Sequence, residues 1–175
     1  LLASLAGSLP ASIGVEVRGE LAGEQVDVLS LAALRGVFSA VVEDQVTFVN
    51  APALAEERGV AVTLGTETES PNHRSLVTLR GALPDGTSVS VGGTLSGPQL
   101  VQKVVTVNGR SFDLRAEGTY LVASYTDGPG VMGRVGTVLG EAGVNIEAAQ
   151  ISQSVEGRSA IMMLRVVGAV DDALR

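Results

Sequence analysis

Cysteine and tryptophan are absent from this 175-residue sequence, and histidine occurs only once, at His73. Without cysteine the chain can form neither disulfide bonds nor the cysteine-ligated zinc and iron–sulfur sites. A single histidine has no second histidine, cysteine or triad partner to work with, so we expect a loop or capping role for it. We therefore expect no metal site and no catalytic residue in this chain.

Positive charge is also scarce, with 12 lysines and arginines against 19 acidic residues and a net charge of −7. Nonspecific binding to nucleic acid depends on basic side chains that neutralise phosphates, so we expect no nucleic-acid partner. No apolar run reaches about 18 residues, and the first residues lack the basic start of a signal peptide. We expect a soluble, cytoplasmic protein without a membrane partner. Because it begins without methionine in an apolar segment that resembles a helix end, we interpret it as part of a longer protein.

Aromatic residues are few, namely three phenylalanines and two tyrosines, yet 45% of the residues are hydrophobic. That content is enough to bury a core, which must be built from valine, leucine, isoleucine and alanine. The many β-branched residues among them favour strands. The length leaves room for one large domain or two small ones.

The first part of the chain predicts two helices and a set of strands. Helical spacing of apolar residues indicates helices over 26–42 and 52–58, the second with Asn50 as a candidate cap. Alternating patterns and turn residues such as Asn108-Gly109 indicate strands over 13–21, 60–65, 74–83, 87–95, 100–107 and 111–115. This order predicts an α+β sandwich with an antiparallel sheet, which we assign to a first domain over residues 1–117.

The second part, residues 118–175, predicts a smaller domain. A strand over 120–126 leads into a tight turn, a helix over 131–141 and a second strand from Val144. The turn contains Gly128-x-Gly130-x-x-Gly133, the spacing of a dinucleotide-binding fingerprint. We reject that function because too few residues follow to complete a Rossmann half, and because Pro129 removes one N–H from the turn.

The same stretch resembles an ACT domain, the small βαββαβ module that binds amino acids in metabolic enzymes. The resemblance rests on Tyr125, Asp127, Pro129 and Gly130 after the first strand and on Gly143-Val144-Asn145-Ile146 at the second. It implies a ferredoxin-like fold that is truncated here, because the sequence stops at residues 171–175, early in the second helix. It also implies that such domains pair edge to edge and bind effectors at the shared interface.

Three upstream motifs extend the resemblance over essentially the whole chain: TFVNAPALAEERGV (47–60), ESPNHRS (69–75) and VNGRSFDLRAEG (107–118). In this order, before an ACT-like strand, they resemble the carboxyl-terminal half of the long-form D-3-phosphoglycerate dehydrogenase family. There an intervening allosteric domain precedes a terminal ACT domain. The resemblance implies a homo-oligomer with ACT–ACT and intervening-domain contacts, L-serine as the effector, and NAD in the parent enzyme but no cofactor in this region.

The turn before the 131–141 helix is the candidate effector site. The unpaired N–H groups of a helix start can bind a carboxylate, an aspartate can pair with an ammonium group, and an asparagine can both donate and accept. The alternative is structural: the aspartate caps the helix, the glycines permit the turn, and the asparagine only begins a strand. The candidate effector residues are Tyr125, Asp127, Gly128, Pro129, Gly130, Val131, Asn145 and Ile146.

A group of basic residues is the candidate anion site, for phosphate or a substrate-like anion. Guanidinium forks and an ammonium group suit such ligands, and the family resemblance associates the intervening domain with anions of this kind. The alternative is a solvated strand face, or pairing with Asp113 and Glu117. The candidate residues are Lys103, Arg110, Arg115 and Arg165.

Two further functions remain open on the sequence alone. The chain could be the accessory part of an iron–sulfur L-serine dehydratase, which pairs a similar intervening domain with an ACT module. It could also be a purely structural oligomerisation module that binds nothing.

Overall fold

A computed structural model describes residues 1–153, 159–168 and 170, which form two compact units, Leu1–Gly109 and Arg110–Arg175. The predicted domain boundary after residue 117 stays a prediction. The helices are α1 (Leu2–Ala6), α2 (Asp27–Phe38), α3 (Ala51–Glu57) and α4 (Val131–Glu141). The strands are β1 (Ser12–Gly19), β2 (Ala61–Glu67), β3 (Ser75–Ala82), β4 (Ser88–Ser96), β5 (Val101–Val107), β6 (Arg110–Arg115), β7 (Thr119–Thr126), β8 (Asn145–Gln153) and β9 (Ser159–Val167).

In the first unit the strands follow the order β2-β1-β3-β4-β5. The predicted α+β class is confirmed, with one refinement: β1 and β2 are parallel, while the neighbouring pairs from β1 to β5 are antiparallel. Parallel neighbours need a long crossover, and α2 and α3 supply it. Along β1 every second residue is buried, including Ile13, which packs with Leu34, Val37 and Phe38 of α2.

Two predictions about the helices of this unit are wrong. The 26–42 helix ends at Phe38, after which the N–H groups of Ala40 and Val42 bond to the carbonyls of Val37 and Phe38 in tight turns. Phe38 is fully buried, and the β-branched residues that follow favour a helix less. The side chain of Asn50 does not cap α3. Its Oδ1 instead accepts hydrogen bonds from the main-chain N–H of Thr47 at 2.7 Å and from the Thr47 hydroxyl at 3.1 Å.

The strand predicted to run to Leu21 also ends early. Gly19 adopts a left-handed φ of 82°, and a Cβ atom there would lie 2.2 Å from the carbonyl oxygen of Arg74. A short 3-10 helix, Glu20–Gly23, follows directly. This close approach of two backbones requires glycine, and it redirects the chain before α2.

The second unit contains a three-stranded antiparallel sheet in the order β7-β9-β8. Helix α4 connects β7 to β8 and packs on one face, where Leu139 contacts a cluster that includes Met162, Leu164 and Val166. This strand–helix–strand–strand order is that of the predicted ACT domain. The predicted start of the second helix, residues 171–175, lies outside the described residues. Within the sheet, β8 forms one edge.

Candidate functional site: an effector turn and a basic cleft

The turn before α4 leaves a helix end open. Gly130 precedes the helix with a φ of 82°, and the N–H of Arg134 makes the first helical bond, to the carbonyl of Gly130 at 3.1 Å. Within the part of the chain that the structure describes, no side-chain hydrogen bond caps this end. The first N–H groups of an α-helix have no intrahelical acceptor and carry the positive end of the helix dipole. A small anion can therefore be bound here.

Asp127 does not cap α4. Its Oδ2 instead accepts a hydrogen bond from Nε2 of Gln153, at the far end of β8. Gln153 was not among the predicted site residues. It becomes a neighbour because both Tyr125 of β7 and Gln153 of β8 pair with Ala160 of β9, so the two strand ends lie at the same level of the sheet.

Tyr125 lies beside this contact. Its half-buried ring packs against the core cluster under α4. Burial raises the pKa of the Tyr125 phenol, and the negative charge of Asp127 raises it further. Tyr125, Asp127 and Gln153 thus gather at the open end of α4.

Asn145 and Ile146 lie elsewhere. They occupy the start of β8, whereas Gln153 marks its end, eight residues away along an extended strand. At about 3.3 Å per residue, the two ends are separated by roughly 25 Å. In one copy of the chain, the predicted effector residues therefore fall into two groups: those of the turn, and those at the start of β8.

The second candidate site is a cleft of about 350 Å³ within the second unit. Arg115 and Arg165, two of the predicted anion-binding residues, both contribute to its wall. Its lining residues are Asp113, Leu114, Arg115, Tyr120, Ala148, Ala149, Gln150 and Arg165.

Both arginines of this cleft share one carboxylate oxygen. Oε1 of Glu117 lies 3.5 Å from Nη1 of Arg115 and 3.4 Å from Nη1 of Arg165. Arg165 is also close to Glu147, with 3.1 Å between Nε and Oε2, although the N–H is not directed at the carboxylate as a hydrogen bond requires. Glu147 is the extra residue of a β-bulge between Ile146 and Ala148. A bulge re-aims side chains, and this one turns Glu147 towards Arg165.

Two hydrogen-bonded contacts shape the cleft. The Tyr120 hydroxyl donates to the carbonyl of Arg115 at 2.7 Å. The Gln150 amide binds the main chain of Asp113 twice, accepting from its N–H at 2.8 Å and donating to its carbonyl at 3.1 Å. Burial raises the pKa of Tyr120; the charge of Arg165 opposes this rise and that of Glu117 adds to it.

The other two predicted anion-binding residues are placed differently. Arg110 donates to the carbonyl of Ser159 at 3.2 Å and to its hydroxyl at 2.7 Å, so its guanidinium fastens β6 to the start of β9. It does not line the cleft. Lys103 lies half-buried on β5 of the first unit.

Among residues 1–153, 159–168 and 170, no group of three or more histidine, cysteine, aspartate or glutamate side chains could hold a metal ion. No helix there is both long and apolar enough to cross a membrane. His73 lies in the loop between β2 and β3.

Comparison with known proteins identifies the class of the second domain: residues 119–175 match the ACT domain. Residues 3–108 match the "D-3-phosphoglycerate dehydrogenase intervening domain". The chain therefore belongs to the D-3-phosphoglycerate dehydrogenase family and corresponds to its carboxyl-terminal regulatory region.

Individual relatives agree with this assignment. The chain is 61% identical over 166 residues to D-3-phosphoglycerate dehydrogenase of Mycobacterium leprae (strain TN). This match covers 95% of this chain but 31% of that protein. It is 58% identical over 171 residues to the enzyme of the same name from Mycobacterium tuberculosis (strain ATCC 25618 / H37Rv), covering 98% of this chain and 32% of that protein. With the enzyme of Bacillus subtilis (strain 168) the identity is 26% over 162 residues, covering 93% of this chain and 30% of that protein. The chain thus spans about a third of the length of these relatives.

Proposed function

We propose that this chain is the effector-binding part of a cytoplasmic, NAD-dependent D-3-phosphoglycerate dehydrogenase, which oxidises 3-phosphoglycerate for L-serine synthesis. The family membership supports the parent activity. The chain spans about a third of those relatives, so we assign NAD and the catalytic residues to the remainder of the protein. The role of this region is to bind L-serine and thereby change how the subunits assemble and work.

The observation that carries the effector proposal is the state of Asp127. A capping aspartate would bond to N–H groups at the start of α4, whereas this one bonds to Gln153 and leaves the helix end open. An amino acid needs both an anion-binding and a cation-binding group. The open helix end suits the ligand carboxylate, and Asp127 suits its ammonium group.

The split between the turn and the start of β8 supports a site shared by two copies. Strand β8 is an edge of its sheet, and edge strands of two copies can pair antiparallel about a two-fold axis. Such pairing would bring Asn145 and Ile146 of one copy close to the end of β8 in the other, beside Asp127. Each pair of copies would then contain two equivalent effector sites, each with Asn145 supplied by the neighbour.

Calorimetry with L-serine on the full-length protein that carries this chain tests the proposal. We expect saturable binding with one serine per subunit, and binding that weakens when dilution separates the subunits. D-Serine serves as the control, because it cannot present its carboxylate, ammonium and hydroxyl groups in the same arrangement. Absence of binding at millimolar L-serine would instead support a purely structural oligomerisation module.

The dehydratase alternative makes a different prediction about the parent protein. The relatives described above are named as dehydrogenases, which favours the dehydrogenase. NAD-dependent oxidation of 3-phosphoglycerate by the full-length protein would support it directly. Deamination of L-serine by an iron–sulfur protein would support the dehydratase.

A second proposed function is weak binding of phosphate or a substrate-like anion in the basic cleft. The supporting observation is that Arg115 and Arg165 already bind one carboxylate oxygen, that of Glu117. An incoming phosphate can take the place of that carboxylate. The site would be sensitive to salt, because the Arg115 and Glu117 side chains are both 60% exposed. Phosphate titrations at low and high ionic strength test this.

A further inference from the structure

The position of Asp127 in the sequence makes its contact with Gln153 informative. Asp127 stands three residues before Gly130, the N-cap residue of α4, so it lies close to the start of the helix in the sequence. The dipole of α4 attracts its negative charge towards that start. If the Asp127 carboxylate moved to the helix start, it would occupy the N–H groups that we assign to the carboxylate of the effector.

From this contact we propose that Gln153 is a positioning residue of the effector site. Its amide holds Asp127 away from the start of α4. The N–H groups of the helix then remain open for the ligand carboxylate, and Asp127 remains available for the ligand ammonium group. This inference rests on the proposed function and adds a residue to it.

The bond geometry supports this division of roles. Nε2 of Gln153 binds Oδ2 of Asp127, and a carboxylate has further lone pairs, including those on Oδ1, that can accept from an ammonium group. An amide is a neutral donor, so the carboxylate keeps its full charge. A lysine or arginine at this position would cancel that charge and compete with the ligand.

The place of Gln153 at the end of β8 links the effector site to the edge of the sheet. Strand β8, which would pair with a second copy, also carries Gln153, and Gln153 fixes the Asp127 carboxylate that would bind the ligand ammonium group. In the proposed antiparallel arrangement, the start of β8 in the second copy approaches this end. Gln153 would then lie where the turn of one copy meets Asn145 of the other.

The test replaces Gln153 by methionine, which keeps the length of the side chain and removes its hydrogen bond. In the full-length protein we expect Gln153→Met to weaken L-serine binding about five- to tenfold, measured by calorimetry. The thermal midpoint should stay within about 1 °C or rise, because the positive end of the α4 dipole can attract the released Asp127 carboxylate. Gln102→Met, at an exposed position of β5 in the first unit, is the matched control and should leave serine affinity unchanged.

A double-mutant cycle with Asp127→Asn separates the positioning role from direct contact. If Gln153 acts through Asp127, Gln153→Met should have little further effect in the Asp127→Asn background. An equal loss in both backgrounds, or no loss in either, would overturn the inference while leaving the effector site standing. If Asp127→Asn alone leaves serine binding unchanged, the proposed site itself is wrong, whatever Gln153 does.

Discussion

At the turn before α4 a carboxylate is held by a neutral amide, whereas in the cleft beside β6 two guanidinium groups are held by a carboxylate. The Asp127 side chain therefore keeps its charge while its position is fixed. The charges of Arg115 and Arg165 are partly cancelled by Glu117. Both arrangements fix the charged groups, but they leave different amounts of charge for a ligand.

This difference predicts two kinds of binding. A ligand at the turn forms its contacts without displacing a charged group, so most of the interaction energy contributes to its affinity. An anion in the cleft must first replace Glu117 and then compete with salt, because exposed ion pairs contribute only about 0.2–1 kcal/mol each. We therefore expect effector binding at the turn to be the tighter and the less dependent on salt.

Removing the charge at the turn should have the largest effect. Asp127→Ala deletes the proposed acidic partner of the ligand ammonium group. A hydrogen bond to a charged group is worth about 1.5–3 kcal/mol, so L-serine affinity should fall roughly ten- to a hundredfold. Asn145→Ala should weaken binding by a similar factor. Calorimetry and thermal unfolding of the full-length protein measure affinity and stability side by side.

The control for Asp127→Ala is Asp85→Ala. Asp85 also lies in an exposed turn, where it accepts a hydrogen bond from the N–H of Thr87 at 2.9 Å. This change should lower stability only slightly and leave serine affinity intact. If Asp127→Ala behaved in the same way, the turn would have a structural role only, and it would not be the effector site.

In the cleft, Arg165→Gln should weaken phosphate binding about tenfold, since it removes a fork-like donor and leaves Glu117 and Glu147 to repel the anion. Arg110→Gln is the matched control. Because Arg110 binds Ser159 outside the cleft, its replacement should lower the thermal midpoint without changing phosphate affinity. Equal losses of affinity in both variants would show that the anion binds elsewhere.

Glu117→Gln should act in the opposite direction and more weakly. It removes the carboxylate that occupies both guanidinium groups, so phosphate binding should tighten about two- to fivefold. Glu141→Gln, on the exposed end of α4, changes the net charge of the chain equally and serves as the control. Weaker phosphate binding in Glu117→Gln would mean that Glu117 orients the arginines and does not compete with the anion.

Local patterns predicted the elements around both sites, but not the contacts within them. The alternation along β8 and the apolar spacing in α4 depend on neighbouring residues, so the sequence alone located both elements. The bond between Asp127 and Gln153 joins residues 26 positions apart and depends on how β7 and β8 register on β9. No local pattern contains that information.

Charge pairing was equally hard to predict. Pairing with Glu117 was one alternative for the basic residues, but its sharing by Arg115 and Arg165 depends on a contact between residues 48 apart. On the sequence alone, Arg110 could not be distinguished from Arg115, the other candidate arginine of β6; the bonds of Arg110 to Ser159 separate the two. The Asn50 prediction was wrong for a different reason. Two local hydrogen-bond donors were available to its side chain, the main chain at the start of α3 and Thr47, and the bond forms with Thr47.

The two tyrosines provide the finest test of the comparison, because each reports on one site. Burial raises the pKa of both phenols; Asp127 adds to the rise at Tyr125, whereas at Tyr120 Arg165 opposes the rise and Glu117 adds to it. Asp127→Asn should therefore lower the pKa of Tyr125 alone, and Glu117→Gln that of Tyr120 alone. A spectroscopic pH titration of this chain follows the ionisation of the two tyrosines directly, since the chain contains no tryptophan. Phe replacements of each tyrosine assign the two transitions.

The same pKa shifts set the sign of a stability effect. A phenol whose pKa is raised on folding stabilises the folded state fully below its unfolded pKa of about 10, and this contribution is lost as the pH rises through the folded pKa. Tyr125→Phe should therefore reduce the fall of the unfolding free energy at alkaline pH. Asp127→Asn should change this fall when Tyr125 is present, and much less in the Tyr125→Phe background. If Asp127→Asn had the same effect in both backgrounds, its carboxylate would not act on Tyr125, and the close grouping of these residues at the open end of α4 would be wrong.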